Sequence, residues 1–257
     1  MRKIAIVNQK GGSGKTTTAV NLAAALAESG KHILLVDLDP QASTSLSFGC
    51  KDRGKALFEV LTAERTVESA VQVTQVKNID ILSASPLLSN VEKILHQSHE
   101  GELFLRKKFA TIPTDRWDYI LFDCPPNLGM LVLNAFSLPE LEVLVPVVTH
   151  VMALHGLLQL LKTVELVKKS LNSSLILSGI LPCRVDQRTK HSREVLEQLK
   201  GRFADKMCRT VIRENVKLAE APLHSISVLQ HAPSCHGASD YRSLAKELIS
   251  QEVVAVP

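Results

Sequence analysis

The sequence predicts an α/β fold, a mostly parallel twisted sheet flanked by helices, in one domain over residues 1–257. Three observations predict it. Short β-branched apolar runs alternate along the chain with segments of helical periodicity. The first run leads through a glycine-rich loop and a helix into a second run, all within residues 3–37, which makes a βαβ unit. Aromatic residues are only 4% while apolar residues are 45%. The apolar weight therefore falls on Leu, Val, Ile and Ala, as in buried parallel strands covered by helices.

The elements follow in order. Residues 3–8 (KIAIVN) form the opening strand. Residues 17–29 carry Val20, Leu22, Ala23, Leu26 and Ala27 at helical spacing, and Gly30 is placed to cap that helix. Residues 33–37 (ILLVD) are the second strand. Further strands are expected at 78–83, 119–123, 143–148 and 175–181, with a weaker one at 209–212. Helices are expected over 87–96, 102–111, 153–170, 192–204 and 238–249. Residues 43–70 read as loop plus short helices. No repeat, low-complexity tract or long linker interrupts the chain.

Composition narrows the function classes. The apolar stretch at 141–161 is broken by Pro146, Thr149, His150 and His155, so strand, turn and helix fit it better than a membrane span. The run at residues 4–7 is too short for a secretory signal. The five cysteines are odd in number and contain no CxxC pair, which fits reduced thiols in a cytoplasmic protein better than a metal site. Net charge is +4. Between residues 181 and 217 there are ten Lys/Arg and five Asp/Glu, a local excess of +5, so the rest of the chain stands at −1. This suits either a polyanion-binding face or a solvated helix surface.

The loop Lys10-Gly11-Gly12-Ser13-Gly14-Lys15-Thr16-Thr17 carries the chemistry. The usual phosphate-loop pattern begins with a glycine five positions before its final glycine; here Gln9 stands there. The physics survives. Gly11, Gly12 and Gly14 let the backbone close around an anion, and the following helix turns its unpaired N–H groups and positive dipole end toward it. Lys15 is placed for the β- and γ-phosphates of ATP, and the Thr16 hydroxyl for Mg²⁺. Lys10 has no task in the ordinary loop. It is either an exposed surface charge or a cation aimed away from its own loop, toward a second phosphate group.

Strand alternation puts Asp37 and Asp39 of the segment DLDPQ on one side, at the carboxyl edge where open α/β sheets bind ligands. Asp123 ends the apolar strand YILFD, the arrangement in which a carboxylate holds a Mg²⁺-bound water. Cys124, next to it, reads as a packing residue.

The string KGGSGKTT, together with DLDPQ, resembles the deviant Walker A loop and second motif of the ParA/MinD ATPase family. The segments ALHGL (153–157), DQRT (186–189) and NVKLAEAP (215–222) extend the resemblance through most of the chain. It implies a P-loop nucleotide triphosphatase of deviant Walker A type that hydrolyses ATP slowly. By the same resemblance, Lys10 would cross a dimer interface to the partner's phosphates, Asp39 would be tied to the attacking water, and Asp37 would support the metal and the loop. Gly11 to Thr17 and Asn215 then bind nucleotide, while Thr16, Asp37 and Asp123 serve Mg²⁺. The resemblance also implies an ATP-bound homodimer and nonspecific DNA binding. A ParB-like or cargo adaptor with a basic N-terminal tail would stimulate hydrolysis. The short N-terminus leaves no room for a helix-turn-helix extension, and no membrane association is expected.

The chain departs from that pattern at its C-terminal third. Relatives often have Ile-Pro-Arg-Asn where this chain has Ile212-Arg213-Glu214-Asn215, a segment near the adenine in them. Three basic positions are replaced by Ile226, Ser234 and His236. DNA binding then rests on Arg184, Arg188, Lys190, Arg193, Lys200, Arg202, Arg213 and Lys217, each lost cation weakening it. Three other readings stand beside a partitioning ATPase. A MinD-like membrane-positioning ATPase needs a basic amphipathic C-terminal helix, yet the last eight residues, SQEVVAVP, carry no basic residue. An electron-transfer ATPase needs a cysteine–glycine context absent here. A non-enzymatic scaffold fits poorly with a complete set of acids and lysines.

Overall fold

The structure is a computed structural model and describes residues 1–50, 55–62, 64–149 and 153–254. Among these, seven strands form one sheet: β1 (Arg2–Ile6), β2 (Ile33–Asp37), β3 (Gln72–Val73), β4 (Ile79–Leu82), β5 (Tyr119–Asp123), β6 (Leu141–Val148) and β7 (Ile176–Cys183). Their spatial order is β3-β4-β2-β5-β1-β6-β7. Every neighbouring pair is parallel except β3 with β4. The expected mostly parallel sheet is what forms.

Among the described residues, twelve α-helices connect and cover it: α1 (Lys15–Glu28), α2 (Ser43–Ser47), α3 (Ala56–Leu61), α4 (Val67–Ala70), α5 (Leu88–Gln97), α6 (Phe104–Phe109), α7 (Met130–Phe136), α8 (Ala153–Ser170), α9 (Lys190–Phe203), α10 (Val216–Glu220), α11 (Val228–His231) and α12 (His236–Val254). Strand alternation divides the core in two. Ala5, Leu34, Val36, Ile120 and Phe122 face one layer, with residues of α3, α5, α7 and α8. Ile4, Ile6, Ile33, Leu35 and Leu121 face the other, with α1 and α12. Central strands buried on both faces require continuous apolar runs, which makes them readable from sequence.

Two expectations need correction. Residues 209–212 are not a strand. Among the described residues, isolated bridges flank the segment at Ile180–Met207 and Val185–Arg213, and within it Ile212 alone exchanges backbone hydrogen bonds with that side, with Pro182 and Val185. Pro182 lies between those bridges and has no N–H to donate, so a continuous ladder cannot form. The helix expected over 102–111 is shorter: a 3-10 turn at Gly101–Leu103 precedes α6. The region 43–70 does hold short helices, α2, α3 and α4. His150 lies outside the described residues, and His155 is exposed on α8.

α12 is fastened to the sheet at its C-terminal end. The Arg2 guanidinium bonds both oxygens of Glu142, at 2.7 and 2.6 Å, and the Leu248 carbonyl. Glu252 accepts from Lys31 at 3.0 Å and from the Tyr119 hydroxyl. Packing elsewhere leaves less tolerance. A Cβ on Gly101 would lie 1.9 Å from the Leu95 carbonyl oxygen. Backbone on both sides must then move, so Gly101→Ala is expected to cost about 2–4 kcal/mol. Urea unfolding checks this, and an unchanged midpoint would show that the α5–α6 turn adapts freely.

Candidate functional site

Three strands deliver the site. β1, β5 and β2 lie side by side, with Ile6 opposite Asp123 and Asp123 opposite Asp37. Both aspartates end their strands at the same level and both are fully buried. The glycine-rich loop leaves β1 just above them and enters α1.

The loop's glycines are needed for backbone shape. Gly12 and Gly14 adopt φ of +70° and +93°, a region that side chains rarely enter, although a Cβ on Gly12 would meet nothing. Gly14 is the N-cap of α1, with no side-chain cap and no acid in the first turn. That helix end thus keeps its unpaired N–H groups and positive dipole for an external anion. The Ser13 hydroxyl is buried without a partner among the described residues, a further polar group left for a ligand.

The two lysines differ sharply. Lys15 is 7% exposed, and its Nζ lies 3.4 Å from the Lys10 carbonyl oxygen. Burial lowers its pKa, and the charges of Asp123 and Asp39 oppose that shift. Lys10 is exposed and its ammonium pairs with no acid among the described residues. Its backbone alone is tied in, its N–H donating to Asn8 Oδ1 at 2.9 Å.

Asp123 Oδ2 accepts hydroxyl bonds from Thr16 at 2.8 Å and Thr44 at 2.7 Å. Its Oδ1 is buried without a partner among the described residues. Burial pushes its pKa up, against the two hydroxyl bonds. Asp37 is raised further still, by burial first and then by the charge of Asp123. Both Asp37 oxygens are engaged: Oδ2 by the Ser45 N–H at 2.8 Å and hydroxyl at 2.7 Å, Oδ1 by the Asp39 N–H at 3.2 Å. Asp37 therefore braces the loop that carries Asp39. Asp39 is half-buried, and its Oδ1 accepts the Gln41 N–H at 2.9 Å.

Two nearby carboxylates with raised pKa values, one with an orphaned oxygen, fit a cation. The Thr16 hydroxyl and Asp123 offer only hard oxygen donors. No group of three or more His, Cys, Asp or Glu among the described residues forms a metal cage. That pattern suits Mg²⁺, which keeps several waters and takes few protein ligands beside substrate phosphates.

Asn215 lines a cavity of about 320 Å³ together with Gly12, Gly14, Thr17 and Arg184. Its Oδ1 accepts from the Lys217 N–H at 2.9 Å, capping α10. The eight candidate DNA cations are spread over the β7–α9–α10 side. Six are paired: Arg184 with Glu214, Arg188 with Asp186, Lys190 with Glu194, Lys200 with Glu197, Arg213 with Asp240 and Lys217 with Glu220. Arg213 is the most committed, since its N–H and guanidinium both bond Asp240. Arg193 and Arg202 are exposed on α9 with no ion pair among the described residues.

Sequence reasoning missed Thr44 and Ser45, the hydroxyls that hold the two buried aspartates. Their signal was the Ser43-Thr44-Ser45 run just after DLDPQ, inside a region that reads as loop.

Comparison with known proteins places this geometry. The family model described as an AAA domain matches residues 1–177. The chain is 41% identical over 247 residues to the sporulation initiation inhibitor protein Soj of Bacillus subtilis, covering 95% of this chain and 97% of that one. It is 40% identical over 255 residues to the chromosome partitioning protein ParA of Caulobacter vibrioides, covering 98% and 95%. Among solved structures, it matches the septum site-determining protein MinD complexed with Mg-ADP from Pyrococcus horikoshii. That match has a TM-score of 0.77 and 26% identity, covering 99% and 98%. Cobyrinic acid a,c-diamide synthase from Mycobacterium smegmatis, with bound ATP analogue and magnesium, matches with a TM-score of 0.82 and 32% identity, covering 100% and 97%. With its phosphate loop, its paired buried aspartates and its full-length likeness to Soj and ParA, the chain belongs to the ParA/MinD family of deviant Walker A ATPases.

Proposed function

We propose that this protein is a partitioning or positioning ATPase switched by ATP-dependent dimerisation. The observation that carries the reading is the contrast between the two lysines of one loop. Lys15 is buried at the phosphate cradle, whereas Lys10 is exposed with its ammonium unpaired among the described residues. A cation in that position is available to phosphates held by a second copy. Mg·ATP then joins two subunits face to face, with Gly11 to Thr17 around the phosphates and Thr16 and Asp123 serving Mg²⁺. Asp39 orients the attacking water, and loss of the γ-phosphate releases the dimer. A cargo-borne protein with a basic N-terminal tail accelerates that step. Light scattering with and without Mg·ATP tests this reading; a protein that stays monomeric with bound ATP would sink it.

Nonspecific DNA is the surface on which such a dimer acts. The exposed ion pairs of α9 are weakly held and exchange readily for DNA phosphates, whereas Arg213 is fixed on Asp240. Replacing Lys190, Arg193, Lys200 and Arg202 together with alanine is expected to weaken binding of random duplex DNA at least tenfold. It should also lower the slope of log affinity against log salt by roughly one for each DNA phosphate no longer neutralised. Gel shifts at several salt concentrations measure both, and an unchanged slope would remove α9 from the DNA surface. No helix among the described residues is long and apolar enough to cross a membrane.

A further inference from the structure

Beside the phosphate loop, a cavity of about 320 Å³ runs from Gly12, Gly14 and Thr17 to Arg184, Glu214 and Asn215. Gly12, Gly14 and Thr17 belong to the phosphate cradle, so this cavity is open to a nucleoside joined to those phosphates. There the chain places a carboxylate, Glu214, with one hydrogen bond from Arg184 on each oxygen. Arg184 Nε donates to Glu214 Oε2 at 2.9 Å, and Nη2 to Oε1 at 3.3 Å.

The backbones of the pair are held independently of their side chains. The Val185 N–H donates to Ile212 and the Glu214 N–H to Val185, at 3.0 and 3.2 Å. A bridge joins Val185 to Arg213. Arg184 itself stands at φ +54°, a conformation in which non-glycine residues are uncommon. The backbone therefore holds the two positions beside the cavity, and their side chains, 61% and 46% exposed, meet there in a surface ion pair.

An unmasked carboxylate at this place has a chemical preference. It accepts two parallel N–H bonds through its two oxygens. Guanine offers such a pair, N1–H and the 2-amino group, on one edge. Adenine offers one exocyclic amine beside a ring-nitrogen lone pair, which a carboxylate repels. The guanidinium fork of Arg184 uses the same two-oxygen face that guanine needs. It also offsets a negative charge close to the triphosphate.

We propose that Arg184 sets base selectivity in this ATPase, by occupying the Glu214 carboxylate that otherwise accepts from guanine. The inference rests on the nucleotide-binding reading above and assigns the pair to specificity, with Arg184 acting through Glu214. Calorimetric titration of full-length protein with Mg·ATP and with Mg·GTP tests it. Wild type is expected to favour ATP. Arg184→Ala is expected to shift the affinity ratio toward GTP by about tenfold, the effect of gaining charge-assisted hydrogen bonds. Arg184→Lys, which keeps the charge without the fork, should shift it the same way by less. Arg184→Ala/Glu214→Ala should return to the wild-type ratio. An unchanged ratio in both single variants, each with wild-type melting temperature, overturns the proposal. So does a shift that persists in the double variant, because the acceptor is then not Glu214. Failure of the wild type to bind Mg·ATP overturns the functional reading itself, before any substitution is made.

Discussion

Lys10→Ala is expected to bind Mg·ATP within about threefold of wild type and to form no ATP-dependent dimer. The local reasons are specific. Lys10 supports its own loop only through its backbone: its N–H holds Asn8 Oδ1, and its carbonyl faces Lys15 Nζ. Alanine keeps both of these bonds. The ammonium itself pairs with no acid among the described residues, so its removal leaves no buried group unsatisfied. What it removes, in the proposed function, is a charge offered to a second subunit. A hydrogen bond between charged groups is worth about 1.5–3 kcal/mol, and a two-fold dimer has two of them. The expected loss is thus on the order of 3–6 kcal/mol, or about 10²–10⁴ in the dimerisation constant. Lys15→Ala is the contrasting control and is expected to lose nucleotide binding outright, because it empties the cradle itself. Light scattering and calorimetry on the same samples separate the two effects. A dimer of Lys10→Ala with ATP would show that Lys10 is only a surface charge.

The parts of this site that are legible in the sequence share a physical property. The strands β2 and β5 match their expected limits because strands buried on both faces must be apolar throughout and end abruptly at Asp37 and Asp123. The phosphate loop is legible because left-handed backbone at Gly12 and Gly14 demands glycine. Legibility fails where chemistry depends on distant partners. Thr44 and Ser45 sit on a five-residue helix too short for periodicity, yet they hold Asp123 and Asp37. The local charge excess of residues 181–217 is visible, but not that most of its candidate DNA cations are paired. Arg213 shows this best: its partner, Asp240, stands 27 positions away on α12. The weak 209–212 strand fails for a related reason, since the interrupting proline belongs to its neighbour, β7. α7, α10 and α11 escape sequence reading because they are brief.

Asp123→Asn is expected to separate stability from function, moving them in opposite directions. In the protein without nucleotide, Asp123 and Asp37 are two buried acids at the ends of adjacent strands. Burial raises the pKa of Asp123 to about 6, and burial with the charge of Asp123 raises Asp37 further. A carboxyl whose pKa is higher folded than unfolded favours the folded state fully below its ordinary value of 3.8. That contribution is lost as pH rises through the folded value. At pH 8 the wild type therefore bears the cost of a desolvated charge that asparagine does not carry. Asparagine keeps one oxygen for the Thr16 and Thr44 hydroxyls. The melting temperature of Asp123→Asn without ligand should therefore equal or exceed that of wild type. The advantage should grow as pH rises from about 5 to about 8. With Mg·ATP the order reverses. Wild type gains about 2.7 kcal/mol at ligand a hundredfold above Kd, whereas asparagine offers Mg²⁺-bound water no charge and gains little. Hydrolysis should fall by about 10²–10⁴, since phosphoryl transfer depends on the cation that Asp123 holds in the proposed function. Thermal melts across pH, with and without Mg·ATP, read both arms at once. A variant less stable than wild type without nucleotide at pH 8 would show that Asp123 supports the fold through its charge. Full Mg·ATP stabilisation in the variant would remove Asp123 from the metal site.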